Sequence, residues 1–127
     1  MSTSFGTQRI VVGAHYGTRD WLAQRVTAVL MGLYLLVLLA MLAFYPRQVD
    51  GEPLTGYARW AGIMSPQWMK FLTFVVIVSL LYHVWVGMRD VMMDYVKPVG
   101  ARLALQVATL VWLVGCSGWA IQVLWRL

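Results

Sequence analysis

Charge is scarce in this sequence. Its 127 residues include 10 Lys/Arg and 5 Asp/Glu, 12% in all, against 61% hydrophobic residues, and its mean hydropathy is +0.69. Soluble domains run at about 25% charged and about 45–50% apolar, so a chain this poor in charge cannot clothe a water-facing surface. The same apolar excess excludes intrinsic disorder, which requires low hydrophobicity. Cysteine is nearly missing: the single Cys116 excludes a disulfide framework and a metal site built from cysteines alone. Within its apolar stretch it reads as a small buried hydrophobe. The shortage of acids leaves a net charge of +5. The basic residues, however, are scattered at the flanks of apolar runs and form no patch, so nucleic acid is not an expected partner. The length admits one domain, spanning residues 1–127, and the class that remains is a small integral membrane protein.

Three stretches contain no Asp, Glu, Lys or Arg: Val26–Tyr45, Phe71–Met88 and Leu103–Trp125, of 20, 18 and 23 residues. A hydrocarbon layer of about 30 Å is crossed by about 20 helical residues at roughly 1.5 Å each. A helix also satisfies its own backbone hydrogen bonds, which lipid demands. The alternating ten-residue segments of a membrane barrel are missing. The expected fold is therefore all-α, with three transmembrane helices at about 22–45, 69–95 and 99–125 forming part of a heteromeric membrane helix bundle. Pro46 stops the first span. The stretch to Lys70, with Pro53, Gly56, Gly62 and Pro66, is a loop that can hold a short interfacial helix around Leu54–Ile63. Pro98 opens the third span after a tight turn.

Residues 1–20 read as a polar N-terminal arm without the apolar core of a signal peptide, although an organellar presequence stays open. Arg9, Arg19, Arg25, Arg89, Lys97 and Arg102 fall on one side of the membrane, and Arg47, Arg59, Lys70 and Arg126 on the other. That six-to-four bias places the N-terminus inside.

Ionisable groups in or beside a bilayer are expensive and point to function. His83 lies well within the second apolar run, where an imidazole needs a partner: an interhelical hydrogen bond, a metal or haem iron, or a proton relay. At about 100° per residue, Ser79 and Gly87 lie about 40° to either side of His83, and Asp90 and Asp94 lie within about 20° of the same line. Small residues on that stripe allow a flat macrocycle to approach, and equally allow close helix packing. His15, in the arm, cannot share the stripe, so a haem held by two histidines needs a ligand from another chain. Arg25 opens the first span, either as a snorkelling anchor or as a fork for an anion such as a haem propionate. Gly32 shares its face. Asp94 and Tyr95 close the second helix. Tyr95 is either an aromatic-belt residue or a phenol that donates to a quinone carbonyl, about 18 Å along the axis from His83. The methionines, the tryptophans and the stripe Ala104, Ala108, Gly115 and Gly118 on the third helix read as packing or interface residues.

Three segments then carry a resemblance: Arg25-Val-Thr-Ala28, His83-Val-Trp-Val-Gly87-Met88, and Asp94-Tyr-Val-Lys-Pro98. Over roughly Arg19–Leu110 the chain resembles the family of small (D-type) hydrophobic membrane anchors of bacterial succinate dehydrogenase, the succinate:quinone oxidoreductase known as complex II. The resemblance implies a second three-helix cytochrome b membrane subunit, an iron–sulfur subunit and a flavoprotein subunit as partners. Haem b would be the cofactor and ubiquinone the substrate quinone. It implies that His83 is an axial ligand to haem iron, with the other histidine supplied by the companion subunit. Tyr95 would bond the quinone, with Asp94 supporting it. Arg25 would lie near the haem propionates and quinone pocket, and Gly87 would pack on the haem. Some members carry a histidine before the acid corresponding to Asp20. Here Arg19 stands, so a proton-delivery role at that position lacks its residue.

The expected function is thus a subunit that catalyses nothing alone but helps pass electrons from succinate oxidation to the quinone pool, in the bacterial inner membrane with its N-terminus cytoplasmic. A fumarate reductase anchor is a close variant. A small transporter would want an acid in mid-span, and none is present. A purely structural scaffold, in which His83 merely packs, is the remaining alternative.

Overall fold

The computed structural model describes residues 15–127, with side chains from Gly17 onward. Helix α1 spans His15–Phe44, and a two-stranded hairpin follows (β1, Gln48–Val49; β2, Glu52–Pro53). Then come α2 (Gly56–Met64), α3 (Gln67–Tyr95) and α4 (Val99–Arg126). Gly17–Phe44, Gln67–Tyr95 and Val99–Arg126 are each long and apolar enough to cross a membrane. The chain is an all-α multi-pass membrane protein.

The first helix starts at His15 rather than near residue 22. No proline interrupts this stretch, and the extra turns are held from outside. Asp20 pairs with Arg89 of α3, and Gln24 Nε2 donates to the His83 carbonyl at 2.8 Å. Residues 15–20 of the expected arm are therefore helical. Residues 1–14 lie outside the described residues. Helix α1 ends before Pro46, which fits a ring that cannot continue a helix.

The connection from α1 to α3 is ordered by turn chemistry. Asp50 and Gly51 have φ of 53° and 84°, and Val49 pairs with Glu52 across them. Two consecutive left-handed residues between antiparallel strands make a type I′ hairpin, the turn for which Asp-Gly is preferred. Thr55 caps α2 by accepting from Ala58 N at 3.2 Å. Ile63 and Met64 of α2 are buried with Met69, against Tyr34, Leu38, Met41, Tyr45 and Leu127. Arg59 of α2 donates to the carbonyls of Leu42 and Tyr45. It thus supplies donors and positive charge to the open end of α1.

Helix α3 is central, with α1 packed on one side and α4 on the other. Two seams account for this. On α1, Asp20, Gln24, Thr27, Met31, Tyr34, Leu38, Met41 and Tyr45 are all shielded, whereas most residues between them are exposed. They repeat at alternating intervals of four and three, the spacing of a coiled-coil seam. On α4 a similar row runs through Gln106, Thr109, Leu113, Ser117, Ala120 and Leu124. The small-residue stripe expected to pack lies off this row: Ala104 and Ala108 are exposed, and Gly115 and Gly118 face open space. Cys116, expected to be buried, is also exposed. The seam leaves that side of α4 turned away from α3. Phe74 meets Trp125 edge-on at 5.9 Å near the far end of the α3–α4 pair.

Candidate functional site

The polar half of the α1–α3 seam gathers the chemistry. Gln24 and Thr27 are three residues apart, hence on one face of α1. Thr27 is a buried polar residue, 9% exposed. Its Oγ1 lies 2.7 Å from the Ala23 carbonyl and 3.1 Å from the Gln24 carbonyl, as a helical threonine bonding back to the preceding turn. The same Oγ1 lies 2.9 Å from His83 Nδ1. Half-buried His83 is thus held twice by α1: its ring by Thr27 and its backbone carbonyl by Gln24. Among the described residues no hydrogen bond engages its Nε2.

Gly87 lies one turn on. A Cβ added there would meet Gln24 Nε2 at 3.8 Å, so this glycine lies beside α1 and the amide that grips His83. Ser79, one turn the other way, is buried and donates to the Val75 carbonyl at 2.9 Å.

Arg25 is exposed on α1. Two residues from Thr27, it projects roughly 160° away around the helix, and its guanidinium lies 4.5 Å from the Trp21 ring centroid. That cation–π contact steadies the fork, and among the described residues no carboxylate pairs with it. Asp94 and Tyr95 are exposed at the end of α3, Tyr95 to 81%. The structure therefore brings His83 and Gly87 to the α1–α3 seam and leaves Arg25, Asp94 and Tyr95 on surfaces open to a neighbour.

Thr27 and Gln24 carry no role legible in the sequence, and Asp20 stands out there only as the acid after Arg19. Thr27 stands inside the Arg25–Ala28 segment, and the signal that would have found it is the four–three repeat from Asp20 to Tyr34. The pair Asp20–Arg89, with Asp90 3.4 Å from Arg89, lines an open cleft with Gln24, Trp21 and Met93 beside the same seam.

Two comparisons bear on this arrangement. The family model described as succinate dehydrogenase/fumarate reductase transmembrane subunit matches residues 1–116. The succinate dehydrogenase hydrophobic membrane anchor subunit of Coxiella burnetii (strain RSA 493 / Nine Mile phase I) is 40% identical over 109 residues, covering 86% of this chain and 89% of the relative. With three spans, a histidine gripped between the first two and a match running through nearly all of them, this chain belongs to the succinate dehydrogenase/fumarate reductase transmembrane subunit family.

Proposed function

We propose that this chain is the hydrophobic anchor of a succinate:quinone oxidoreductase, contributing one axial ligand, His83, to a haem b and the pair Tyr95 and Asp94 to a ubiquinone site. The observation that carries the reading is the setting of His83. Its ring is tied through Nδ1 to a buried threonine, and its other nitrogen is left without a protein partner among the described residues. A ligating imidazole has one nitrogen on the metal and the other on a partner that orients the ring. The donor set thus fits a haem iron.

The other ligand comes from a second three-helix membrane subunit, and an iron–sulfur and a flavoprotein subunit complete the complex. The exposure of Arg25, Asp94 and Tyr95 supports sites completed by neighbours. Arg25, steadied by Trp21, offers a planar array of donors suited to a propionate. The haem, when bound, supplies a one-electron store. Tyr95 O–H donates to a quinone carbonyl and orients the ring. Asp94 beside it holds a proton acceptor at the membrane edge, where quinone reduction takes up two protons for its two electrons. The chain alone catalyses nothing. It lies in a bacterial inner membrane with its N-terminus cytoplasmic, where the greater share of its Lys/Arg falls.

Two substitutions in the assembled complex test the reading. His83→Ala is expected to remove or alter the low-spin haem spectrum, and an unchanged spectrum overturns axial ligation. Tyr95→Phe is expected to impair succinate-driven quinone reduction by about 10-fold, the scale of one neutral hydrogen bond, while electron transfer to a soluble dye persists. Equal survival of both activities reduces Tyr95 to an interfacial anchor.

A further inference from the structure

The structure assigns Thr27 a positioning role: its hydroxyl oxygen accepts a hydrogen bond from His83 Nδ1–H and so holds the imidazole in the tautomer whose Nε2 carries the free lone pair. The inference rests on the reading of His83 as an axial ligand and deepens it.

The available hydrogens fix the direction of this bond. A threonine hydroxyl has one hydrogen and two lone pairs, and a neutral imidazole has one N–H. Around Oγ1 stand the Ala23 carbonyl at 2.7 Å, the Gln24 carbonyl at 3.1 Å and His83 Nδ1 at 2.9 Å. The two carbonyls can only accept, so the hydroxyl hydrogen is directed at them. The contact to Ala23 has the length usual for O–H···O. His83 must then supply the hydrogen in its own contact. The reverse arrangement would turn the hydroxyl hydrogen to Nδ1 and face bare oxygen lone pairs toward Ala23 at 2.7 Å. At 9% exposure Thr27 has little access to solvent that would relieve that clash. With the proton on Nδ1, Nε2 is the unprotonated nitrogen, the form a metal requires.

Gln24 assists from the same face. Its amide fixes the His83 backbone carbonyl, and Gly87 lies beside that amide. Two residues of one helix therefore fix both the position and the protonation pattern of a ring on another.

A donor bond at the remote nitrogen makes an imidazole more basic, and a more basic ligand favours ferric over ferrous iron. Thr27→Val keeps the shape and removes the acceptor, whereas Thr27→Ser keeps the acceptor and removes the methyl. A hydrogen-bonding role makes Val the harmful change, and a packing role makes Ser the harmful one.

The test uses the assembled complex and reads the haem midpoint potential by redox titration, the low-spin EPR signal and haem content. Thr27→Val is expected to raise the midpoint, so that at the wild-type midpoint the reduced-to-oxidised ratio rises from one toward roughly 10, the order of the loss in metal affinity or activity when such a partner is removed. The EPR signal shifts with it, and Thr27→Ser restores both. If Thr27→Val does not assemble, Thr27→Ala takes its place against Ser under the same criteria. An unmoved midpoint and EPR signal in the Val or Ala variant, or a Ser variant displaced as far as they are, overturns the role of Thr27. His83→Ala separates the two claims. If it alters the haem while Thr27 variants do not, only the positioning role falls. If it leaves the haem unchanged, the ligation and the positioning role fall together.

Discussion

Gly62 is held to glycine by a neighbour. A Cβ there would stand 2.7 Å from Tyr45 Cζ, inside any tolerable contact, because the phenol of Tyr45 lies across α2 where the loop folds back on α1. Gly62→Ala must displace that ring from its place beside Ile63 and Met64. Overpacking of this kind costs about 1–3 kcal/mol, so the purified complex is expected to unfold at lower temperature. Gly56→Ala, where the added carbon meets nothing within 4 Å, is expected to leave the transition in place. Thermal denaturation followed by circular dichroism compares the two. Residues differ in how readable such roles are. His83 stood out because an imidazole inside an uncharged run is conspicuous by itself. Thr27 did not, since threonine is tolerated almost anywhere in an apolar helix and its partner lies 56 positions away. Gly62 looks like any loop glycine until Tyr45 is placed.

At the scale of the element, the α1 seam changes character along its length. Asp20, Gln24 and Thr27 meet α3 through polar contacts. Tyr34 then bonds Thr73 at 2.8 Å, and Leu38, Met41 and Tyr45 meet the apolar cluster. The polar end explains why α1 begins earlier than hydropathy alone suggests: its first turns are fixed by partners on α3. Arg89 is shared between Asp20 and Asp90, and the Asp20 pair is the more shielded, its side chains 33% and 22% exposed against 57% for Asp90. Ion pairs this open are worth about 0.2–1 kcal/mol and fade with salt. Asp20→Asn is expected to lower the unfolding temperature slightly at low ionic strength and hardly at all at high, with a smaller effect from Asp90→Asn. Melting the variants at two salt concentrations checks the order. The hairpin was legible in principle, because Asp50-Gly51 is a strong turn signal. A proline-rich loop framed by membrane spans nevertheless reads first as irregular, and its strands are only two residues each.

For the whole molecule, the three spans were plain in the sequence because lipid imposes a length and a composition that little else satisfies. The arrangement of the spans was not, since a uniformly apolar helix hides which side it turns to its neighbour. The stripe of small residues on α4 looked like a packing face, and the structure turns it away from α3, with open space at Gly115 and Gly118. The candidate site was legible in the same proportion: the imidazole could be named, but the helix that grips it could not.

The spacing of the polar rungs between α1 and α3 has a mechanical result. A slide of one helix past the other by a single turn, about 5.4 Å, would unmake Asp20–Arg89, Gln24–His83, Thr27–His83 and Tyr34–Thr73 together. Thr27, the buried member, costs about 1–3 kcal/mol if left unmatched, and the more open Asp20–Arg89 pair adds less. The ladder therefore works as a depth gauge. The height at which the imidazole rests in the bilayer is indexed from above and below, and changes in membrane thickness have to be absorbed at the helix ends.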